Sequence, residues 1–505
     1  MSIKRKLNYA LTCLFWILAT TTMHIVAQTS APELHSPKTI GASQINALLQ
    51  ADTESDELVY PEQVSSTFNS LFVGDPFTGG TQIAVDRAGG YHIAYRDMVG
   101  NYPFDTVYYG YCAANCANSN NWGTVDVYAD DTPLSKPINV RLELDPSDHP
   151  RLAWIQDHPL NEVFVVYVEC DTDCLNNDNW AGTYVVGDGG GSAFHHNTVS
   201  SRWFTLDNQG HPRFMYHYDI PATGYDLRYS FCDGNCVSDA NWYDLTIATA
   251  TDGDPAYALD FTSSNYPRVA VASNGGLYYL SCDAPCTLAA NWQITYVDEQ
   301  LDESIQLTLD AQDRPRIARF FNSDVVKYDW CDSGCQDSNN WNQRALSAFP
   351  PYSGIGIDLL FDSQNRPHIG FVGNRDVFET EAGYVHCLND CDTPDTSVWA
   401  YDAVEREVQL PEIPLVNSCD VQTWDLDGPA SIALDKDDQI VLGYVTANYQ
   451  FDTSDPTWNC VYQLNMQGPE CTGPIYNPLC FLPVASQYPR VSILLENIFL
   501  PMIRK

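Results

Sequence analysis

The chain has 505 residues, 65 Asp plus Glu against 25 Lys plus Arg, and 17 cysteines. That length buries a large core without disulfide staples, and a formal charge of -40 lacks the basic surface that nucleic acid or anionic membranes require. With 44% hydrophobic and 12% aromatic residues the sequence is too apolar for a disordered acidic chain, so it folds.

Lys4, Arg5 and Lys6 precede an apolar run from Leu7 to Ala19, and Ile25, Val26 and Ala27 offer a cleavage site before Gln28. This is the layout of a secretory signal over 1–27, with an uncleaved anchor as the alternative. Cleavage removes Cys13 and leaves an even set of cysteines, suited to an oxidising compartment. Residues 28–61 read as a polar leader with a short helix near Gln44 to Gln50. No later stretch reaches the roughly 20 apolar residues of a membrane span, so a secreted or cell-surface monomer is expected.

From there the chain repeats. Six times it spells Tyr, two residues, Cys, three residues, Cys and then Trp, beginning at Tyr109, Tyr167, Tyr229, Tyr279, Tyr328 and Tyr384. In five copies Trp122, Trp180, Trp242, Trp292 or Trp341 follows the second cysteine by six residues, each preceded by Asn; the sixth copy ends at Trp399. A second element precedes each of these and occurs seven times, as in QLTLDAQDRPRIAR: an alternating strand, a polar turn and a second strand. Asp86, Asp145, Asp207, Asp310, Asp362 and Asp435 open the turn, with Thr262 in the fourth copy. Both residue types accept hydrogen bonds from turn backbone, so these positions are structural.

Adding the strands beside the Cys pair gives four per unit. The fold predicted is all-β, a seven-bladed β-propeller of four-stranded antiparallel blades over 62–465, with a C-terminal disulfide-containing tail over 466–505. The seventh unit is irregular, and the segment Gln63 to Gly74 is the natural donor of a closing strand.

Each unit holds one cysteine pair, and radial blades keep the pairs apart, which favours local disulfides over zinc. The expected bridges are Cys112–Cys116, Cys170–Cys174, Cys232–Cys236, Cys282–Cys286, Cys331–Cys335 and Cys387–Cys391. Cys419, Cys460, Cys471 and Cys480 remain, with Cys471–Cys480 and Cys419–Cys460 the most economical of three pairings. The tail, with FLPVA at Phe481 to Ala485 and IFLPMIRK at Ile498 to Lys505, reads either as a strand docking on the propeller or as a sorting peptide.

Paired elements such as LDAQDRPRIAR followed by VKYDWCDSGCQDSNNW resemble the repeats of secreted bacterial β-propellers that read "LD..G.PHIAY" and then "L.YA.....W". The Asn-Trp loop is similar to the Asp-box turn of sialidase-type propellers, but Ser-x-Asp-x-Gly-x-x-Trp is absent and a cysteine pair occupies the loop. No catalytic residue carries over from that resemblance. The ending resembles the short "YLPLV.R" finish of some secreted bacterial proteins, which implies a surface or export role.

The leading functional expectation is a non-enzymatic extracellular binding or interaction propeller, its glycan or protein ligand held by rim loops. The repeated Trp residues suit inter-blade packing, whereas Trp154, Trp203 and Trp330 fall outside the repeat position and are the ligand-binding candidates. Arg151, Arg213, Arg268 and Arg316, with His92 and His368 in equivalent places, form either an anion-binding ring or carboxylate pairs. The alternative is a glycoside hydrolase or lyase with two carboxylates converging on the axis, Glu143 and Asp358 being the pair to test. A third reading is a structural surface protein stabilised by Ca²⁺ on the acidic loop after Cys170 or at Val186 to Gly191, neither of which has a known calcium-loop spacing. No other cofactor is expected.

Overall fold

The computed structural model describes residues 68–494 except 73–77, 98–105, 130–135, 159–161, 188–201, 221–223, 251–254, 300–303, 322–324, 347–352, 377–378, 395, 407–408, 411, 413–414, 416–420 and 452–485. The expected signal peptide, the polar leader with its helix, Trp458, Cys419, Cys460, Cys471, Cys480 and both Phe-Leu-Pro segments lie outside the described residues.

Alternating strands and Asp turns build seven four-stranded antiparallel sheets. The protein is a seven-bladed β-propeller. The first strand of each blade runs Thr78–Val85, Lys136–Leu144, Phe204–Leu206, Ala256–Phe261, Ile305–Leu309, Ser353–Phe361 and Val421–Leu434. These first strands contact one another around the ring and so line its axis. In blades I to VI the other three strands follow in sequence order, while blade VII has the order Val421–Leu434, Ile440–Phe451, Ser486–Leu494, Phe68–Phe72.

The ring is thus closed by a strand from the N-terminal side, inside the segment expected to donate it. Phe68 to Phe72 pair antiparallel with Leu494 to Arg490. The third strand of that blade corrects the expected boundary at 465. Ser486–Leu494 lies in what the sequence suggested was tail, and it pairs with Val441 to Asn448 as an integral strand. A long insertion separates it from its hairpin partner, which hid it from a count of repeats.

Each turn forms as its sequence dictates. The Asp145 carboxylate accepts from the Ser147 and His149 amides, and Asp207, Asp310, Asp362 and Asp435 do the same with their own turns. Thr262 replaces one such bond, accepting from Tyr266 N–H at 3.0 Å. The third turn residue is left-handed, hence Gly89 and Gly210 or the tolerant Asp148, Asn265, Asp313, Asn365 and Asp438. Those Asx side chains also reach the preceding blade: Asn265 accepts from Asn208 N–H, Asp313 from Ser263, Asn365 from Ala311 and Asp438 from Ser363.

The cysteine loops lie on the same face as these turns. All six local disulfides are present, with Cα–Cα distances of 5.7 to 5.8 Å. The Asn-Trp signature now has a cause. Trp indole N–H donates to the second cysteine's carbonyl at 2.8 to 3.1 Å in five loops, and the preceding Asn amide caps the carbonyl just before that cysteine. Each of these Trp rings from blade II onward then meets, edge-on, the Tyr of the previous blade's Tyr-x-x-Cys. The pairs Tyr109–Trp180, Tyr167–Trp242, Tyr229–Trp292, Tyr279–Trp341 and Tyr328–Trp399 have centroids 5.1 to 5.6 Å apart. The repeated tryptophans are inter-blade packing, as expected.

Candidate functional site

The polar positions of the first strands fall four and two residues before each turn residue. At four before stand Gln82, Arg141, Gln306, Asp358 and Ser431; at two before stand Glu143, Thr205, Asp260 and Thr308. A first strand has one hydrogen-bonding edge facing the axis without a partner, and these side chains supply partners across the blade boundary. Leu309 N–H donates to Asp260 at 2.7 Å, Ile432 N–H to Asp358 at 3.0 Å and Ile83 N–H to Ser431 at 3.1 Å. Thr308 donates its hydroxyl to the Leu359 carbonyl at 2.7 Å.

Within this lining lies a charged cluster from four blades. Gln306 Nε2 donates to Asp358 Oδ1 at 2.6 Å, and its Oε1 accepts from Arg202 N–H at 3.3 Å, linking blades III, V and VI. Arg141 donates to Gln82 Oε1 at 2.7 Å. Arg202 Nε approaches Glu143 at 3.3 Å. Glu143 and Arg202 keep 23% and 28% of their side-chain surface exposed, although burial dominates the electrostatics of both.

The electrostatics follow from that burial. Burial raises the Glu143 pKa above the usual carboxylate value, Arg202 and Arg141 oppose the shift, and Asp260 and Asp358 add to it. Burial likewise raises Asp260 against the pull of Arg202 and two backbone amides. Arg141 is lowered to about 10 by burial and by the neighbouring Arg202, against Asp358 and Glu143. For Arg202 burial is outweighed by Glu143, Asp260 and Asp358, and the guanidinium is held charged. Glu143 and Asp358, singled out from sequence as one pair, therefore sit in one electrostatically coupled group. Asp260 and Arg202 belong to it too, and only their place in the inner-strand register could have signalled this.

The aromatic candidates are corrected. Trp154, Trp203 and Trp330 are buried to 0–1% exposure. Trp154 donates to Gln156 at 2.9 Å, Trp203 to the Asn139 carbonyl at 3.1 Å, and Trp330 stacks on Tyr328. All three are core residues and present no face to a ligand.

The Pro-Arg residues are carboxylate partners. Arg151 bridges Asp145 and Asp171 at 2.7 Å each, Arg213 bridges Asp207 and Asp233, Arg268 binds Asp283, and Arg316 meets Asp310, Asp332 and Asp392. His92 and His368 take this place in blades I and VI: each ring pairs through Nδ1 with Tyr109 or Tyr384 and through Nε2 with Asp86 or Asp362. Asp145, His149 and Asp171 lie close enough to suggest a metal site, but the Arg151 guanidinium already occupies their centre. Asp188 to Gly191 of the second calcium candidate lie outside the described residues.

No family model matches the chain, and no curated protein matches it. Solved structures similar to it include a protein of unknown function from Dyadobacter fermentans, at 10% identity and TM-score 0.38 over 84% of this chain and 97% of that one. An intramolecular trans-sialidase from Ruminococcus gnavus matches at 10% identity and TM-score 0.38, over 76% and 93%. A mutant NanB sialidase from Streptococcus pneumoniae matches at 9% and 0.42, over 90% and 72%. Likeness at this level carries no argument about activity. Among the described residues no helix is long and apolar enough to cross a membrane.

Proposed function

We propose that the chain is a secreted propeller that cleaves glycosidic bonds, as a hydrolase or lyase, with the axial cluster as its site. The observation that carries this reading is Glu143, a carboxyl raised by burial that still keeps 23% of its side chain exposed. A sugar leaving group departs with a proton, and a carboxyl raised above its ordinary value is suited to deliver it. Asp358, with an N–H donor on each oxygen, supports the reading as the second carboxylate of the cluster. Arg141 and Arg202 line the same cluster and suit the oxygens of a bound sugar. The non-enzymatic rim reading loses its named support with the burial of Trp154, Trp203 and Trp330.

The test is a panel of aryl glycosides and polysaccharides presented to the mature protein. Glu143→Gln lowers kcat by about 100-fold or more at an unchanged melting midpoint. Asp358→Asn lowers it too, measured well below the midpoint because Asp358 also joins two blades. Activity falls as pH rises through the Glu143 pKa, above the ordinary glutamate range. Absence of turnover on the whole panel, or wild-type turnover by Glu143→Gln, refutes the reading.

A further inference from the structure

A cavity of ≈ 170 Å³ opens between blades III and IV on the disulfide face, away from the axial cluster. Its walls include Phe231 and Tyr229 of blade III, Tyr266 and the Cys286 loop of blade IV, and the Arg213–Asp233 pair. The repeat departs from its pattern at this cavity. The residue before the second-strand Pro is elsewhere His149, His211, Arg314 or Arg366, and each closes onto its own turn Asp at 3.4 Å or less. Blade IV has Thr262 in place of that Asp, and Tyr266 in place of the His or Arg. Tyr266 cannot make such a pair, and the residue is 36% exposed.

Blade III contributes the matching departure. The residue before the first cysteine is Tyr111, Glu169, Phe231, Ser281, Trp330 and His386 in blades I to VI, and Phe231 lines the same cavity as Tyr266, which precedes the next blade's second strand. Phe231 belongs to a stack that runs from buried Tyr229 outward to Tyr243, with centroids 5.7 and 5.4 Å apart and Tyr243 59% exposed. The polar wall is electrically closed on itself. Arg213 donates to Asp207 and Asp233, and Asn265 donates to Asp207. The guanidinium lies 6.0 Å from the Phe231 centroid, which disfavours a cationic ligand in that place. Asp233 keeps most of its carboxylate in water as an acceptor for hydroxyl groups.

We propose that this cavity is a saccharide-binding site for one neutral sugar ring, independent of the axial chemistry. An aromatic wall takes the C–H face of the ring, Asp233 accepts from its hydroxyls, the two carboxylates around Arg213 disfavour an acidic ligand, and the guanidinium beside Phe231 disfavours a basic one.

The probe is an array of neutral hexose and pentose oligosaccharides beside uronic-acid oligosaccharides, read with wild type, Glu143→Gln, Tyr266→Ala, Tyr266→Phe and the blade II control Tyr184→Ala. Binding to neutral glycans is expected in wild type, Glu143→Gln and Tyr184→Ala. Tyr266→Ala weakens it about tenfold at an unchanged melting midpoint, as loss of one stacking face does, and Tyr266→Phe retains it. No binding to any neutral glycan, binding confined to the uronic acids, or wild-type affinity in Tyr266→Ala overturns the proposal. Glu143→Gln keeps the axis from turning over the array, and loss of binding in Tyr266→Ala, a residue outside the axial cluster, separates this site from the axial reading.

Discussion

Arg316 and Arg268 occupy the same place in adjacent blades, and removing each predicts costs that differ for a stated reason. Arg316 is fully buried, donates to the carbonyls of Pro315 and Cys331 at 3.1 and 2.8 Å, and meets Asp310, Asp332 and Asp392 at 2.8 to 3.0 Å. Arg316→Ala strands the buried Asp310 with only Arg314 and its own turn amides, and uncovers Asp392. Breaking a buried pair from one side costs about 3 to 5 kcal/mol. Asp332 is 51% exposed and adds little, because water screens it. Arg268 makes the same two carbonyl bonds, but its carboxylate partner is Asp283, 58% exposed, and Thr262 removes the turn Asp altogether. Arg268→Ala therefore costs about 1 to 2 kcal/mol, mainly the two carbonyls left unpaired. Urea unfolding of both variants beside wild type measures the difference, with matched m-values required for comparison. Equal shifts, or the larger shift in Arg268→Ala, would refute the view that carboxylate pairing is what these arginines do. Specific stabilisation of wild type by sulfate at constant ionic strength, lost in Arg316→Ala, would restore the anion-ring reading.

Other expectations test separate links. His386 is lowered to about 3 by burial, with His368 and Arg366 adding to the shift and Asp362 opposing it. The unfolded chain titrates near 6.5 and takes up a proton the folded ring refuses, so stability is full above about pH 6.5 and falls by about 1.4 kcal/mol per unit as pH drops toward 3. Replacing His386 with Phe removes about one proton from the slope of stability between pH 4.5 and 6.5, and an unchanged slope contradicts it. Removing residues 1–74 takes away the outer strand of blade VII and exposes the Ser486–Leu494 edge. A five-residue antiparallel pairing holds about five backbone bonds at about 1 kcal/mol each, a large part of a domain's net stability. The shortened protein is expected to be protease-sensitive or aggregated, and a compact, resistant monomer counts against strand closure.

The fold was legible because each blade solves the same problem with the same residues. An Asp that caps its turn, an Asn-Trp that caps the cysteine loop and a Tyr that receives the next Trp recur in most blades, and recurrence shows in a single sequence. The axial pair was legible for a related reason: period-two alternation places Glu143 and Asp358 in the polar set of first strands, and first strands meet at the axis. The misreading of Trp154, Trp203 and Trp330 came from taking aromatics outside the repeated Asn-Trp position to be without a packing role. In a half-exposed sheet an irregular aromatic marks a solvated face, but a propeller blade is covered on both faces by its neighbours. Trp154 takes one face of such a strand, and Trp203 fills with an indole the inner-strand position where other blades place Gln82, Arg141 or Asp358.

Departures from the repeat are therefore better pointers to function than unusual residues. A substitution that keeps the boundary closed, such as His92 for an arginine with Tyr109 and Asp86 as its partners, is structural however reactive the side chain looks. Thr262 is different, because it removes a charge that its own blade's Tyr266 does not replace, and a cavity lies where the repeat would have placed an ion pair. Glu143 follows the same logic at the axis. Asp260, Asp358 and Ser431 each accept an inter-blade amide that the ring needs, whereas Glu143, among the described residues, accepts from Arg202 at 3.3 Å and keeps 23% of its side chain exposed. A carboxyl released from the structural role its neighbours perform is the one to which the proposed proton transfer is assigned, and the Glu143→Gln assay tests that assignment.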